Sequence, residues 1–535
     1  MQRQRAVVVA LVGVVSFFSG GWLLQRGGEQ AGNVYDRARL FDDVLGYVAQ
    51  YYVDSVGESE LYDMAIDGLL NELDDPYTGF LREEAFRELT ESTTGNYGGL
   101  GIRIDVRDGW ITVIAPIAGT PAEQAGIESG DRIIEVEGKS TFGWKNDQAV
   151  EVLRGPPGSK VKIAIARPGL PEPLPFEIER AEIHVRAVQL ATVLGSDIGY
   201  VSLVNTSISQ TVTEELTEEI SKLRAQGAKS LILDLRYNPG GLLEQGVAVA
   251  DLFLEPGQSV VSTRGRARGS SASFTARQPQ SWGEMPMIVL VNRGTASASE
   301  IIAGALQDHD RALVVGERTF GKGLVQSVLR LGRMEALRLT TARWYTPSGR
   351  TIQRETTSGG VGAELEVAAE AVDSTRIFHT DGGRAVYGGG GINPDLVVMA
   401  DTLTGAEQSF VRALGSQLPA YRDAMTSYAL ELKGENAVTG TTARVTDGML
   451  AELWNRLQEK SIDVTAAQYR GARRWVEQQL TYEVERFVFG RESESLRRLQ
   501  DDRQVQRAIE LLSTARTSSE LFRMAAAEGG VQRTP

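Results

Sequence analysis

Cysteine is absent from the sequence and histidine is scarce. The 535 residues contain no cysteine and only three histidines, His184, His309 and His379. The lack of cysteine excludes disulfide bonds, cysteine-ligated zinc and a thiol nucleophile. It is also compatible with a protein that works outside the cytoplasm, where a free thiol would risk oxidation. No recognisable cluster of metal ligands is present, so we expect neither a metal nor another cofactor.

The charge balance and the length limit the class of protein. Acidic residues outnumber basic ones, 70 to 56, and the resulting net charge of −14 argues against nucleic acid as a partner. The hydrophobic share of 42% and the charged share of 24% are typical of a soluble globular protein. A chain of 535 residues is too long for one hydrophobic core, so we expect several domains.

A long apolar run near the N-terminus predicts a membrane helix. Residues 6–24 carry no charge and are mostly apolar, and Arg3 and Arg5 precede them. At about 1.5 Å per residue, such a helix can span a bilayer. The basic residues keep the N-terminus in the cytoplasm and place the catalytic portion in the periplasm or another extracytoplasmic space. We therefore interpret residues 1–27 as an uncleaved anchor; a cleaved signal peptide is the alternative, although Trp22–Arg26 is a poor cleavage site.

Helical periodicity follows in residues 33–90. Apolar residues recur at helical spacing in two stretches, which predicts two helices that face a core. Asp75 and Pro76 end the second helix, because proline is disfavoured inside a helix and restricts the residue before it. The residues predicted to face the core are Phe41, Val44, Leu45, Val48, Ile66, Leu69, Leu70 and Leu73.

Residues 95–183 change to short strands and glycine turns. Tyr97–Ile102 contains three glycines, and the apolar stretches Trp110–Ile114 and Ile133–Val136 follow it at strand length. This pattern predicts a small β-rich domain.

Residues 184–398 alternate strands and helices. Such alternation predicts crossover units on a largely parallel sheet, whose ligands gather beyond the carboxyl ends of the strands. The Asn238–Gly241 loop and Ser297 follow two of these strands directly, so both are expected at that edge. The predicted strands are Ile198–Leu203, Ser230–Leu235, Met287–Val291 and Arg311–Val315, with Val212–Arg224 as one of the helices.

Ser297 and Lys322 are the candidate catalytic pair. Ser297 lies in a run of small residues at a predicted helix start, and Lys322 lies between two glycines among apolar neighbours. A hydroxyl is a poor nucleophile at neutral pH unless a base removes its proton. A desolvated lysine amine can be that base, because burial disfavours its charged form. The pair therefore predicts a serine-lysine hydrolase.

The same placement predicts how a tetrahedral intermediate would be stabilised. The backbone N–H of Ala298, at the helix start, and that of Gly241, in a loop that permits close approach, could converge on the developing oxyanion. A plain tight turn is the structural alternative for Asn238–Gly241.

Two other enzyme motifs fit less well. Gly316–Lys322 is most of a phosphate-binding P-loop, but Gly323 stands where that loop needs a serine or threonine for magnesium. The residues after Lys322 also predict a strand, whereas a P-loop lysine opens a helix. His309 is the one histidine near a possible triad, and we interpret it as a helix-end residue.

These motifs resemble those of the carboxy-terminal processing peptidases, the tail-specific serine proteases that carry a PDZ domain. The similarity spans about residues 35–400 and rests on Thr295–Glu300, on Thr319–Gly323 and on Gln326. It implies a multidomain fold with α+β and α/β parts: a PDZ domain at 95–183 and a serine protease core at 184–398, against which 33–90 packs.

The resemblance also implies roles for individual residues. Ser297 would be the nucleophile, Lys322 the general base and Gln326 an orienting amide, while Asp308 would be structural. In the PDZ domain, the backbone amides of Leu100, Gly101 and Ile102 would hold the C-terminal carboxylate of a substrate. A glycine-rich turn suits that task, because its N–H groups can form a nest for an anion beside a strand edge that pairs with the peptide.

Beyond residue 400 the periodicity is helical. It predicts an amphipathic bundle as a C-terminal domain over 400–527, with oligomerisation or partner docking as candidate roles, and a disordered tail over 528–535. The apolar residues that carry this prediction are Leu450, Leu453, Leu457, Ile509, Leu511 and Leu512.

Two functions fit the whole sequence. The first is a membrane-anchored serine endopeptidase that recognises protein C-termini and cleaves them outside the cytoplasm, as a homo-oligomer or with an activating partner. The alternative is a catalytically silent PDZ-containing adaptor. The retention of Ser297, Lys322 and Gln326 together favours the enzyme.

Overall fold

The computed structural model describes residues 34–167, 170–280, 282–283, 285–354, 376–438, 440 and 442–528. The predicted membrane anchor lies outside these residues, as does the predicted tail beyond Glu528. Across the described ranges, no helix is both long and apolar enough to cross a membrane. The described chain divides into two compact units, one of residues 34–82 and 326–340, the other of 83–325, 341–354 and 376–528.

The helices are distributed over the whole described chain. In chain order they are α1 (34–51), α2 (Glu58–Asn71), α3 (Glu83–Thr94), α4 (Pro121–Gln124), α5 (Asn146–Leu153), α6 (Val212–Ala225), α7 (Leu243–Asp251), α8 (Ala298–Asp308), α9 (Gly405–Leu414), α10 (Leu418–Gly434), α11 (Asp447–Glu459), α12 (Ala466–Gly471), α13 (Arg473–Val484), α14 (Arg491–Asp501), α15 (Arg503–Thr514) and α16 (Ser518–Ala527).

The strands lie between Gly79 and Val397. They are β1 (Gly79–Leu81), β2 (Asn96–Gly99), β3 (Ile102–Arg107), β4 (Trp110–Pro116), β5 (Arg132–Val136), β6 (Lys139–Ser140), β7 (Lys160–Ala166), β8 (Leu174–Glu179), β9 (Ala181–His184), β10 (Leu190–Leu194), β11 (Ile198–Ser202), β12 (Ser230–Asp234), β13 (Ser259–Arg264), β14 (Ala272–Thr275), β15 (Met287–Val291), β16 (Leu313–Gly316), β17 (Leu324–Arg330), β18 (Ala336–Tyr345), β19 (Ile377–His379), β20 (Ala385–Tyr387) and β21 (Leu396–Val397).

In the first unit, α1 and α2 leave much of their apolar surface exposed. Phe41, Val44 and Leu69 are exposed for 51%, 50% and 67% of their surface, although Leu61 and Leu70 are buried. The prediction that both helices face a core is therefore wrong for these exposed side chains. Helical periodicity identifies an apolar face, but it does not identify what covers that face.

The second unit begins with the β-rich domain. Its sheet has the strand order β3-β4-β5-β7-β8, with β6 paired to β5, and its core contains the fully buried Ile111, Ile133 and Ile165. The chain enters and leaves through β2 and β9, which pair antiparallel so that Asn96 lies opposite His184. Both ring nitrogens of His184 are engaged, one with Asn96 and one with Glu215 of α6.

The α/β sheet lies at the centre of the second unit. Its order is β10-β11-β12-β15-β16-β21, parallel from β11 onward with β10 antiparallel at the edge, which confirms the predicted largely parallel sheet. Every residue of β11, β12 and β15 is buried, as expected for strands covered on both faces. Helices α6, α7 and α8 cover one face, and α15 and α16 cover the other.

The C-terminal helices form two groups and not the single bundle predicted. Leu453 and Leu457 of α11 are buried with α10 and α13, whereas Leu511 and Leu512 of α15 pack on the sheet. The periodicity is correct for both groups, but it does not distinguish a helix-covered face from a sheet-covered one. The first group also contacts the β-rich domain, where the Lys460 amine lies 2.7 Å from a carboxylate oxygen of Asp108.

A buried ion pair anchors the C-terminal end of α8. The Arg350 guanidinium donates to Asp308 Oδ1 and to Gln307 Oε1, each at 2.7 Å, and the Arg350 side chain is fully buried. The other Asp308 oxygen accepts the Ser348 amide at 3.0 Å. Asp308 therefore makes structural contacts, which hold α8 against the segment that follows β18.

We expect Asp308→Asn to destabilise the protein strongly. It leaves the buried Arg350 charge uncompensated, which typically costs about 3–5 kcal/mol. The matched control is Asp381→Asn, because the Asp381 carboxylate is 64% exposed, although the side chain of its partner His309 is buried; losing a contact of a solvated carboxylate costs about 1 kcal/mol or less. Chemical denaturation of both variants measures the difference, and equal losses would contradict the assignment.

Candidate active site

Ser297 lies between β15 and α8 in a strained backbone conformation. Its φ is 53° and its ψ is −117°, a combination that few residues other than glycine adopt. Such strain costs about 1–3 kcal/mol and persists only where the surrounding structure fixes the backbone. The side chain is half-buried, so the hydroxyl sits at a held and partly accessible position.

The turn before Ser297 is tied to the end of the neighbouring strand β12. Asn292 Oδ1 accepts the amides of Tyr237 and Gly294, at 2.9 and 3.0 Å. The Thr295 hydroxyl donates to the carbonyl of Leu235 at 2.9 Å. The Asn292 and Thr295 side chains, which precede Ser297, thus fix the start of the Asn238–Gly241 loop.

The buried carboxylate of Glu300 joins the Ser297 segment to the Lys322 segment. Its Oε2 accepts the backbone amides of both Ser297 and Lys322, each at 2.9 Å. Its Oε1 accepts the Gly321 amide at 2.8 Å and the Thr319 hydroxyl at 2.5 Å. Because one oxygen accepts both amides, the backbones of Ser297 and Lys322 lie next to each other.

Burial and hydrogen bonding act on Glu300 in opposite directions. The side chain is fully buried, and this desolvation raises the pKa of Glu300 above its ordinary value, against the hydrogen bonds that favour the ionised form. A proton on Oε2 would face two amide donors, and a proton on Oε1 would require the Thr319 hydroxyl to accept in place of donating. The arrangement therefore depends on the ionised carboxylate.

The Lys322 segment has further backbone contacts within the second unit. The Lys322 carbonyl accepts Trp344 Nε1 at 3.0 Å, and Phe320 donates its amide to the carbonyl of Thr295 at 3.0 Å. Trp344 is buried, and the Lys322 side chain is half-buried. Backbone hydrogen bonds thus fix the direction in which the lysine leaves the chain.

The loop Asn238–Gly241 is held against the Ser297 segment. The Asn238 carbonyl accepts the Ala296 amide at 2.9 Å. Its side-chain oxygen accepts the Ser299 hydroxyl at 2.6 Å and the Gly240 amide at 3.0 Å. The amide nitrogen of the same side chain donates to the Leu203 carbonyl at 2.8 Å, so this buried asparagine uses both ends.

Gly240 permits the closest approach of this loop to Ser297. Its φ is +88°, and a Cβ atom there would lie 2.7 Å from the Ala298 nitrogen and 2.8 Å from Ser297 Cβ. No other residue fits without displacing that backbone. Gly241 follows directly, and hydrogen bonds from Ile208 to Gly240 and from Leu242 to Ile208 hold it on both sides. The loop thus brings the predicted oxyanion residues Gly241 and Ala298 to the same region.

The predicted carboxylate-binding turn opens strand β3 of the β-rich domain. Leu100 is buried, and Gly101 has a φ of +77°. A Cβ atom at Gly101 would lie 2.3 Å from Thr120 Cβ, and the Gly101 carbonyl accepts the Ile117 amide at 2.8 Å. The turn with Ile102 therefore requires glycine at its centre.

A cavity of about 1050 Å³ opens within the second unit beside β3. Its lining includes Ile104 of the β-rich domain and Arg498 of α14. It also includes Ser207 and Ser209, which flank the Ile208 that holds the Gly240–Gly241 loop. The cavity therefore extends from β3 of the β-rich domain to the segment around Ile208, which in turn contacts the Gly240–Gly241 loop.

The structure does not support the alternative motifs, the P-loop and the histidine triad. Strand β17 begins at Leu324, as predicted, so Lys322 does not open a helix. His309 is the C-cap of α8, and its ring nitrogens contact Asp381 and the Ser259 carbonyl. Within the described ranges, no group of three or more histidine, aspartate or glutamate side chains could hold a metal ion.

Gln326 belongs to the first unit. Its side-chain amide donates to the Tyr77 carbonyl at 2.7 Å, and Arg338 donates to the same carbonyl at 2.9 Å. Its orienting role toward Lys322 stays a prediction.

Sequence reasoning missed Glu300 and Asn238. A glutamate three residues after a helix-capping serine is a capping-box pattern, and that signal could have identified Glu300. Asn238 has a weaker signal, because an asparagine before proline and glycine is typical of an ordinary turn. Its role depends on burial, which the sequence does not report.

The comparisons with known families cover most of the chain. Residues 197–367 match the family described as Peptidase family S41, and residues 112–167 match the PDZ domain. Residues 24–85 match the description "Activating protease CtpB N-terminal domain".

The matches to individual relatives cover most of the length of those relatives. A carboxy-terminal-processing protease of Bartonella bacilliformis is 41% identical, over 63% of this chain and 76% of the relative. The carboxy-terminal processing protease CtpA of Bacillus subtilis is 32% identical, over 78% and 86%. The solved photosystem II D1 C-terminal processing protease is 30% identical, over 66% of this chain and 85% of the other, with a TM-score of 0.37.

We expect Glu300→Gln to reduce turnover while the protein stays folded. Each carboxylate oxygen accepts two hydrogen bonds, so a glutamine in either orientation turns its NH₂ group toward two current donors. Misplacement of reacting groups by about 1 Å can cost about 100-fold in rate. The measurement is kcat on a peptide substrate beside a melting curve, and Glu317→Gln, at a half-buried neighbouring glutamate, is the control. A wild-type kcat for Glu300→Gln would contradict this account.

Proposed function

The chain belongs to peptidase family S41, as a carboxy-terminal processing serine peptidase, and we propose that it cuts its substrates with a Ser297–Lys322 dyad. The observation that carries this proposal is the shared contact with Glu300 Oε2, which accepts the amides of both residues at 2.9 Å. Two side chains that leave neighbouring backbones can reach each other. His309 lies at the opposite end of α8 from Ser297, and His184 is engaged with Asn96 and Glu215, which supports Lys322 as the base.

The chemistry follows from the two groups. The neutral Lys322 amine takes the proton of the Ser297 hydroxyl, whose oxygen attacks the scissile carbonyl carbon. The protonated lysine then gives its proton to the leaving amine, and a water repeats the sequence on the acyl-enzyme. Gln326 is proposed to orient the lysine amine, as the family resemblance implies.

The oxyanion is proposed to bind the amides of Ala298 and Gly241. Ala298 is the first residue of α8, where the helix dipole favours negative charge. Gly241 follows Gly240, at which a Cβ atom would lie 2.7 Å from the Ala298 nitrogen. Preorganised donors of this kind are worth about 100- to 1000-fold in rate each.

The PDZ domain is proposed to capture the substrate's free C-terminus. The amides of Leu100, Gly101 and Ile102 would hold the carboxylate, and the edge strand β3 would pair with the peptide. The cavity beside β3 supports a path from this strand toward the Gly240–Gly241 loop.

The location of cleavage belongs to the same proposal. The apolar run 6–24 after Arg3 and Arg5 supports a membrane anchor with the catalytic portion in the periplasm or an equivalent space. In this proposal the PDZ domain at 95–183 captures the substrate, the core at 184–398 cleaves it, and the helical region at 400–527 supports them. The protein would work as a homo-oligomer or with an activating partner.

The test of the dyad uses an unstructured protein with an apolar C-terminal tail. We expect Ser297→Ala and Lys322→Ala each to abolish its cleavage, and the double variant to lose no more, because groups that act as one unit give non-additive losses. Lys229→Ala is the control, since Lys229 is 76% exposed. Near-normal turnover by Lys322→Ala would refute the mechanism. Cleavage should also continue in a chelator, since no metal is invoked.

The test of the PDZ turn compares one tail substrate as free acid and as amide. Amidation removes the charge that the turn binds, so cleavage below saturation should slow by an amount equivalent to about 1.5–3 kcal/mol. Gly101→Val should reproduce that loss, because its Cβ would lie 2.3 Å from Thr120 Cβ. Gly138→Val is the control, since it has a similar φ of +75° and open space around it. Equal rates for acid and amide would mean that the turn does not select targets.

A further inference from the structure

Arg236 is the last charged residue before the catalytic loop, and its inner side is held by the sheet. Its guanidinium pairs with both carboxylate oxygens of Asp234 at the end of β12, with contacts from 2.6 to 3.1 Å. Asp234 is fully buried and also accepts the Tyr200 hydroxyl at 2.8 Å. Burial alone would lower the pKa of Arg236, but Asp234 and Asp502 outweigh it and hold the pKa well above its ordinary value.

The outer side of the same guanidinium is held by the start of α15. Arg236 Nη1 lies 2.7 Å from Asp502 Oδ2 and donates to Gln504 Oε1 at 2.8 Å. The Gln504 amide nitrogen in turn donates to the carbonyl of Val398, directly after β21, at 2.6 Å. Residues far beyond the peptidase-family match at 197–367 thus contact the arginine that precedes Asn238–Gly241.

The two carboxylate oxygens of Asp502 contact different groups. Oδ1 caps α15 by accepting the amides of Gln504 and Val505, at 2.9 and 3.0 Å. Oδ2 faces Arg236. Helix capping needs one side-chain oxygen, which serine or asparagine also supplies, so the cap does not explain the second contact.

We propose that Asp502 and Gln504 are positioning residues that act on the catalytic loop through Arg236. This rests on the oxyanion role proposed for Gly241. Tyr237, with a φ of 55°, connects Arg236 to Asn238, and a Cβ atom at Gly240 would lie 2.7 Å from the Ala298 nitrogen, so the loop has little room to move there. A shift of the guanidinium is therefore expected to reach the Gly241 amide, against the restraint that Asn292 and Thr295 place on the start of the loop.

The consequence is that the C-terminal helices take part in turnover without touching the substrate. Arg236 keeps Asp234 when its outer partners are removed, so we expect the fold of the sheet to survive while the loop loses the support that comes from α15. The effect should fall on kcat, where oxyanion stabilisation acts, and leave KM unchanged.

The experiment measures full-length Asp502→Ser, in which the serine hydroxyl keeps the helix cap but does not reach Arg236. We expect kcat to fall about tenfold or more, since a displacement of about 1 Å can cost about 100-fold, with KM and the melting temperature near wild type. The matched control is Asp501→Ser, because Asp501 is the adjacent carboxylate, is similarly exposed, and contacts Tyr482 and Arg497 instead of Arg236. It should retain the wild-type kcat.

Asp502→Asn provides the second variant. It keeps both the cap and the shape while it removes the charge, and we expect a kcat between those of wild type and Asp502→Ser. Wild-type kcat in both Asp502 variants, an equal loss in Asp501→Ser, a matching rise in KM, or failure of both Asp502 variants to fold would each overturn the proposal. Activity that persists in Ser297→Ala would instead refute the proposed function, so the two failures can be told apart.

Discussion

The ionised carboxylate of Glu300 is the contact on which the rest of the site depends. It accepts four hydrogen bonds inside the protein, two of them from the amides of Ser297 and Lys322 on a single oxygen. A buried charge is costly unless hydrogen bonds compensate it, and here every compensating donor belongs to a segment that carries or supports a candidate catalytic group. The cost of burying the charge is therefore offset only when the two segments are brought together.

Strain and close packing follow from the same constraint. Ser297 holds a φ of 53°, and Gly240 leaves no space for a side chain beside the Ala298 nitrogen. Neither feature is stable alone. Hydrogen bonds of the Asn292, Thr295 and Asn238 side chains join the Ser297 segment to the loop that follows β12. The ion pair of Asp308 with Arg350 holds the far end of α8. The α8 helix that begins after Ser297 is thus held at both ends.

Much of the fold and part of the site could be predicted from the sequence. The buried strands β11, β12 and β15 were predictable because they are short, continuous apolar runs, and Ser297 and Lys322 because their local sequence is distinctive. The sequence did not predict that α1 and α2 have exposed apolar faces, or that α11 and α15 belong to different groups. Periodicity identifies an apolar face but not the element that packs on it. Glu300, Asn238 and Asp502 act through burial and long-range contacts, which appear only when distant segments are folded together.

The ribbon of β2 and β9 makes the PDZ domain an insertion in the chain. Asn96 and His184 are direct cross-strand partners, so the polypeptide leaves the protease core and returns to it at neighbouring points. A domain whose ends are this close can be exchanged or lost without opening a gap in its host. The β-rich domain and the protease core are then two separable parts, and gene fusion or deletion at this ribbon could give the same sheet a different domain. Such an exchange would have to rebuild the contacts with the C-terminal helices, among them those of Asp108 with Lys460, Asp423 and Ser427.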